Sequence, residues 1–480
     1  MDASLLRALL AGGVSLFAVG CTTVGPAYQP PTLDLPDSWS QARIGGIEDG
    51  DASRDAWWRH FDDQQMGDLV ERALRSNLDL KAALARLQSA RALRGVAAAG
   101  RSPTLEANAD YQHSEASTNT PFGAFIPATD IHTVNFDAAW ELDLWGRVRR
   151  SVEAADRDVE ASTADLQAAA LTVAAEVART YVEVRATERR LAIAEQNLAL
   201  QQRTLELVLA RSDAGLVVER DVAQARTNVE QTRARLPQLE AEAIVAANRL
   251  AVLVGEAPGR LDLDTARSGV LPGLPVHVAV GAPVDLLLRR PDVRRAERQF
   301  AAEVARVGVA EADRYPRLLI SGQFGIQSDG AADLVDGDSL FFNVGPSIRW
   351  TLFDGGRLKS RVLSFEAQAE AAAVVYEQSI LLAIEETENA LTSFVREQAR
   401  RASLARAAEE ARRAVTLAET QYREGLTDFQ TVLDSQRIVA TIEDDLARSD
   451  AAVATNLIAL FKALGGDFRP EPPAQAVQES

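Results

Sequence analysis

The 480-residue chain has a single cysteine and only four histidines, His60, His113, His132 and His277. One cysteine excludes an intramolecular disulfide, and no two of the histidines stand at the spacing of metal ligands. No nucleophile paired with a base can be recognised among the remaining residues either. We therefore expect no catalytic residue, no metal site and no cofactor, and we predict that the chain is not an enzyme.

Positive charge and long apolar runs are also scarce. The formal net charge is −18, and a nucleic-acid partner is disfavoured because binding to phosphates needs a basic surface. After the N-terminus no run of eighteen apolar residues occurs, so no transmembrane helix is predicted. The acidity itself fits a solvated surface as well as a conduit that tolerates cations.

The N-terminus has the features of a secretory signal peptide, predicted over residues 1–20. Arg7 supplies a short basic region, and the apolar run that follows is too short to cross a bilayer, which takes about twenty residues. The cysteine follows directly in the sequence AVGC, which resembles a bacterial lipoprotein box. We predict that Cys21 becomes the first residue of the mature protein and carries a covalent lipid. The alternative is an ordinary signal peptide with an incidental Cys21.

Glycine and proline are absent from two long stretches, residues 147–214 and 357–424. Both are rich in Ala, Leu, Glu, Arg and Gln, which is the composition of long helices. At 1.5 Å per residue each helix would extend for about 100 Å. Apolar residues recur every seven positions in the first stretch, as in a coiled coil, at Val177, Val184, Leu191, Leu198 and Leu205.

The chain is a tandem duplication. An offset of 210 residues relates Gly215-Leu216 to Gly425-Leu426, and an offset of 213 relates Asp79 to Asp292. Each unit is predicted to contain a helix (78–100 or 292–313), a strand pair, a very long helix, a tight turn and a returning helix. The first repeat spans 77–255, with strands within 104–144, and the second spans 291–465, with strands within 318–353. Pro237 has no counterpart in the second repeat and should kink the first returning helix.

The predicted strands alternate apolar and polar residues over segments of about ten residues. They are 104–113, 133–144, 318–327 and 342–352. This length and pattern suit a transmembrane β-strand with one wet face, although a soluble sheet with one buried face alternates in the same way. The phase places Ala138 and Ile348 on the apolar face, and Asn135 and Ser347 on the side facing water. Four strands cannot close a barrel in lipid, so the membrane interpretation requires an oligomer, and three copies give twelve strands.

Several motifs resemble the NodT-type lipoprotein branch of the TolC-like outer-membrane efflux family. Together with the duplication, the resemblance covers essentially residues 21–468. The motifs are CTTVGPAY at 21–28, WWRHFDD at 57–63, NLDL at 77–80, RRPDVR at 289–294, YREGL at 422–426 and VLDSQ at 432–436.

This resemblance implies a mainly α fold with a membrane β part: a trimeric twelve-stranded β-barrel, four strands per chain, continuous with a long α-helical barrel. Residues 21–76 would form a lipidated N-terminal segment and collar, 256–290 a collar connection and 466–480 a C-terminal tail. The implied function is that of an outer-membrane channel subunit of a tripartite efflux system, a passive gated duct that exports small molecules. It would be lipid-anchored in the outer membrane, extend through the periplasm and work with a periplasmic adaptor and an inner-membrane pump.

The resemblance also implies two sites. The hairpin tips at Gly215, Leu216, Gly425 and Leu426 would dock the adaptor. Asp434, Tyr422 and Asp221 fall on positions that narrow the closed periplasmic end in the family. Thr427 stands where the family has an arginine that pairs with the residue at 221, so a salt-bridge lock is not expected here.

Two other functions remain open from the sequence. One is the outer-membrane duct of a type I protein secretion system. The other, from a different class, is a trimeric coiled-coil surface stalk, which would not conduct ions. The arginine cluster around residue 290 is expected to form local ion pairs rather than to bind nucleic acid.

Overall fold

The computed structural model describes residues 23–31, 38–40, 47–49, 56–275, 277–280 and 289–465. The signal peptide, Cys21 and the tail 466–480 lie outside the described residues, as do parts of the two predicted collar segments. The chain divides into two compact units. One comprises Met1–Thr32, Arg86–Ser162 and Arg295–Glu377, and the other comprises Leu33–Ala85, Thr163–Arg294 and Gln378–Ser480.

The helices follow the predicted duplication closely. The long helices have 67 residues each and the returning helices 35 each, so these corresponding helices of the two repeats are equal in length. Pro237 lies inside the first returning helix and does not interrupt it. The helices are α1 (Gln64–Ser76), α2 (Leu78–Ala99), α3 (Arg147–Asp213), α4 (Glu219–Leu253), α5 (Pro291–Ala312), α6 (Arg357–Arg423) and α7 (Phe429–Ala463).

The strands are β1 (Ile47–Asp49), β2 (Thr104–Ser114), β3 (Thr129–Leu142), β4 (Val278–Val280), β5 (Arg317–Ser328) and β6 (Leu340–Arg349). The strand pairs of both repeats join into one antiparallel sheet in the order β2-β3-β5-β6. A short parallel pair, β1 with β4, lies in the other unit. The predicted strands agree with the observed ones to within a few residues, the largest difference being that β3 begins at Thr129.

The register separates the sheet into an apolar and a polar face. One row of directly paired residues across the four strands is Ala107, Phe136, Phe324 and Phe342. The next row, on the opposite face, is Glu106, Asp137, Gln323 and Asn343. Because side chains alternate along a strand, the predicted two-faced pattern is confirmed.

The solvent exposure of side chains on the two faces does not follow their polarity. The apolar side chains Phe342 and Ile348 are 75% and 73% exposed, whereas Asn135 on the polar face is only 4% exposed. The Asn135 amide donates a 2.8 Å hydrogen bond to Asp137, and the backbone of Gly325 lies directly against the Asn135 side chain. The expectation that Asn135 faces water is therefore wrong. Ser347 is exposed, as predicted.

The core of the second unit explains the WWRHFDD motif as packing. Trp57 is 1% exposed and stacks on Phe461, with a centroid distance of 5.6 Å. Phe61 is fully buried beside the same ring. Asp63 then caps α1 by accepting a hydrogen bond from the Met66 amide. No helix within the described ranges has the length and apolar character needed to cross a membrane.

Candidate functional site: the hairpin ends

Both helical hairpins turn at a glycine in the left-handed conformation. Gly215 has φ 71° and Gly425 has φ 77°, a region that only glycine occupies at little cost. After each glycine a leucine amide donates back across the turn, from Leu216 to the Arg211 carbonyl (2.9 Å) and from Leu426 to the Gln421 carbonyl (2.8 Å). This is the hydrogen-bond pattern of a Schellman cap, so the predicted glycine turns are confirmed.

The turns present apolar side chains to solvent. Leu216 is 66% exposed and Leu426 is 73% exposed. Below them, residues from both hairpins form one buried apolar cluster, which fixes the two turns to each other. Its buried members are Val208, Val222, Ala225, Ala418, Tyr422, Phe429, Val432 and Leu433.

Arg211 connects the two hairpins. Its guanidinium lies 4.6 Å from the centroid of the Tyr422 ring, and its Nη1 donates a hydrogen bond to the Tyr422 carbonyl oxygen. That carbonyl belongs to the last turn of α6, where the helix dipole favours a cation. The sequence did not single out Arg211. The only signal available was its position in the last turn of a long helix, just before the tip glycine.

Tyr422 is a buried residue of this connection. Its side chain is 3% exposed, and its hydroxyl finds no hydrogen-bond partner within the described part of the chain. Burial raises the pKa of Tyr422, the positive charge of Arg211 opposes that rise, and the carboxylate of Asp221 adds to it. The phenol is therefore neutral at physiological pH and acts through its ring.

The two carboxylates predicted at the constriction have different surroundings. The Asp221 side chain is 15% exposed, and its Oδ1 lies 3.1 Å from Nη2 of Arg220. Asp434 is 54% exposed on α7 and accepts a hydrogen bond of 2.9 Å from Gln430. Within one chain, the structure thus brings Asp221 near Tyr422 and leaves Asp434 on the helix surface.

A further carboxylate lies at the second tip. Asp428 caps α7 by accepting hydrogen bonds from the hydroxyl and the amide of Thr431. These two bonds hold the pKa of Asp428 below its usual value. Across the described ranges, no group of three or more His, Cys, Asp or Glu side chains is arranged to hold a metal ion.

Comparison with known proteins identifies the family to which this architecture belongs. The profile of the family described as outer membrane efflux protein matches residues 69–256 and 282–466, which correspond to the two repeats. Nodulation protein T of Rhizobium leguminosarum bv. trifolii is 31% identical over 461 residues, covering 95% of this chain and 96% of that protein. The pyoverdine export outer membrane protein OpmQ of Pseudomonas putida is 31% identical and covers 96% and 98%, respectively.

Solved structures agree with the sequence comparison. The outer-membrane channel OprN superposes with a TM-score of 0.87 at 36% identity, covering 92% of this chain and 99% of that one. The duplicated helical hairpins, the four-stranded sheet and the matching repeats therefore have one explanation. The chain belongs to the outer membrane efflux protein family and is an outer-membrane efflux channel rather than an enzyme.

Proposed function

We propose that three copies of this chain form a passive, gated duct that carries small molecules out through the outer membrane. The duct takes its energy and its cargo from an inner-membrane pump and an adaptor, the partners with which efflux channels of this family work. The observation that carries the proposal is the structure of the sheet. Its apolar face is exposed, its polar face is partly covered, and the outer edge of each outer strand has no strand partner within the described ranges.

The open edges of the sheet argue for assembly. The outer edges of β2 and β6 have no strand partner within the described ranges. Inside a bilayer each open backbone group would lack a hydrogen bond, so such an edge must pair with another strand. Because one chain supplies four strands and a membrane barrel needs at least about eight, the edges are closed by further copies, and three copies give twelve strands.

The exposed rows support contact with lipid. Phe136 is 50% exposed and Phe324 is 54% exposed, and both belong to the row that also contains Phe342. Four strands of exposed aromatic and aliphatic residues form a patch that would be unfavourable in water. The polar face, which carries Glu106, Asp137 and Asn343, then faces the lumen.

The segment that follows Cys21 supports a lipid at that residue. The Val24 amide donates to the Trp145 carbonyl (3.1 Å), and Arg150 donates to the Gly25 carbonyl (3.3 Å). Thr23 lies against Gly146, at the junction between the sheet and α3. Thr23, which follows Cys21 by two residues in the sequence, therefore lies beside the end of the strands that the proposal sets in the membrane.

The hairpin ends supply the docking surface for the adaptor. Leu216 and Leu426 are exposed apolar side chains held by two rigid caps, and such side chains fit the apolar centre of a protein–protein contact. Small-molecule cargo is favoured over protein because a curated relative is described as exporting pyoverdine.

Conductance in a planar lipid bilayer tests the proposal. The purified protein should give discrete current steps, and chemical cross-linking should trap three chains per conducting particle. A coiled-coil stalk would give cross-linked trimers but no current. A conducting assembly with another number of chains would refute the trimer and leave the channel intact.

A further inference from the structure

A basic groove lies on the unit that contains the sheet. It runs between the C-terminal half of α2 and the first turns of α3 and has a volume of about 700 Å³. Its charged lining consists of five arginines and three carboxylates, an excess of positive charge in a chain whose net charge is −18. The five arginines are Arg91, Arg94, Arg101, Arg149 and Arg157.

The carboxylates of the groove are already paired. Asp156 binds Arg94 at 2.9 Å and Glu160 binds Arg157 at 2.9 Å. Glu153 pairs at 2.9 Å with Arg150, which does not line the groove. Over the described ranges the side chains of Arg91 and Arg101 form no ion pair. The groove therefore has two guanidinium groups available for an anion.

The second repeat contains a counterpart groove of about 570 Å³ with different chemistry. The repeat offsets replace Arg94 by Val307 and Glu153 by Leu363, while Arg101 becomes Arg314. The chain's own residues Val24, Gly25 and Pro26 line that groove. The duplication thus made one groove that receives an apolar segment of the same chain and one basic groove that no described segment of the chain fills.

The basic groove begins beside the first residues of β2, where the exposed apolar face of the sheet ends. Arg101 lies between α2 and β2, and its carbonyl accepts a 3.1 Å hydrogen bond from the Trp140 indole. Four residues further, Leu105 is already 71% exposed on the apolar face. A tryptophan with a neighbouring cationic side chain at the end of membrane strands is typical of the level of lipid headgroups.

We propose that this groove binds the phosphate headgroup of an anionic membrane phospholipid, with Arg91 and Arg101 as the principal donors. The proposal rests on the proposed function, which sets the sheet in the membrane. Guanidinium groups suit this ligand because their planar donors can bind two phosphate oxygens at once. Lipid held here would bind the channel on the periplasmic side, beside the junction of sheet and helices.

The test is a lipid titration of the full-length protein in neutral detergent, with bound lipid counted by native mass spectrometry. The probe is palmitoyl-oleoyl phosphatidylglycerol, and phosphatidylcholine with the same chains is the headgroup control. The groove variant is Arg91→Gln with Arg101→Gln. The matched variant is Arg314→Gln with Lys359→Gln, which removes the same charge at the equivalent level of the second repeat.

The parent and the matched variant should bind phosphatidylglycerol in preference to phosphatidylcholine. The groove variant should bind it about tenfold more weakly, as expected when charge-assisted hydrogen bonds are lost. An equal loss in both variants would overturn the site and indicate general attraction to an anionic surface. Displacement by inorganic phosphate at equal concentration would overturn the assignment to a lipid.

Conductance is measured in parallel on the same samples, so that the two proposals are judged separately. A parent protein that forms no channel refutes the proposed function. A parent protein that conducts but shows no preference between the two lipids refutes the groove alone.

Discussion

The guanidinium of Arg211 lies over the ring of Tyr422, 4.6 Å from its centroid, and donates to the carbonyl oxygen of the same residue. The two residues belong to different repeats and lie at the ends of the two long helices. One side chain thus joins the two hairpins, whose relative position would set the opening of the periplasmic end in the proposed duct.

Arg211→Ala should loosen this connection and raise the conductance of the closed channel. A cation–π contact contributes about 0.5–2 kcal/mol, and the carbonyl at the end of α6 also loses its donor. Tyr422→Phe is the matched control: it should leave conductance unchanged, because the hydroxyl has no hydrogen-bond partner in the described structure. Single-channel recordings measure the conductance of both variants. A higher conductance in Tyr422→Phe but not in Arg211→Ala would contradict the role of Arg211 in holding the hairpins together.

The elements of the two repeats could be predicted from the sequence because each has a local signal. Helix α1 and the short pair of strands β1 and β4 were not predicted. Two stretches without glycine or proline predicted the long helices, and alternating apolar and polar residues predicted the strands. Gly215 and Gly425 predicted the turns. The link between Arg211 and Tyr422 had no such signal, since it joins residues far apart in the chain. The burial of Asn135 was missed for a similar reason: it depends on Gly325 of the neighbouring strand, whose missing side chain lets the backbone approach.

The strand phasing can be tested with two adjacent residues of β6. Ile348 is on the exposed apolar face, and Ser347 is its exposed neighbour on the polar face. Ile348→Arg should destabilise the protein in the membrane by about 2–4 kcal/mol if it faces the bilayer interior, whereas Ser347→Arg should have little effect. Asn135→Arg should also be damaging, here because the site is buried. Trimer yield from outer membranes measures all three, and equal yields for Ile348→Arg and Ser347→Arg would refute the phasing.

Arg290 should make stability depend on pH. Its guanidinium binds Asp292 at 2.8 Å, contacts Glu386 and donates to the Ala463 carbonyl. Burial alone would raise the pKa of both carboxylates, but Arg290 outweighs it and holds both pKa values below their ordinary values of 3.8 and 4.5. Carboxylates with lowered pKa values stabilise the folded state above their unfolded pKa, and this stabilisation is lost as the pH falls through the folded values.

Thermal unfolding between pH 3 and pH 6, followed by circular dichroism, checks this behaviour. The parent should lose stability as the pH drops below about 4.5, and Arg290→Gln should flatten that dependence while lowering stability at pH 6. Arg233→Gln, which removes the partner of Glu230 in an exposed pair, is the control and should keep the parent's profile. An unchanged slope in Arg290→Gln would show that other carboxylates govern the acid sensitivity.

Lipidation at Cys21 is tested by labelling. Cells fed a labelled fatty acid should yield labelled parent protein and unlabelled Cys21→Ser protein. The variant should still be recovered from the outer membrane, because the membrane-spanning strands of the proposed barrel, rather than the lipid, are expected to hold the channel there. Label in Cys21→Ser would refute the assignment, and loss of that variant from the membrane would mean that the lipid is needed for insertion.

A ring of carboxylates is expected at the narrow end of the proposed duct. In a trimer, Asp434 occurs three times around the axis, and its side chain is 54% exposed in the single chain. Three carboxylates at one constriction attract cations, so a bound divalent ion should impede the current. Asp434→Ala should raise conductance and weaken block by magnesium, with little effect on folding.

Asp221→Ala should change conductance less than Asp434→Ala, because Asp221 is only 15% exposed and lies beside Arg220. Thr427 offers Asp221 no charged partner from the second hairpin. Bilayer recordings with and without magnesium distinguish the two variants. If Asp434→Ala conducts and is blocked like the parent while Asp221→Ala opens the channel, the constriction lies at the first hairpin instead.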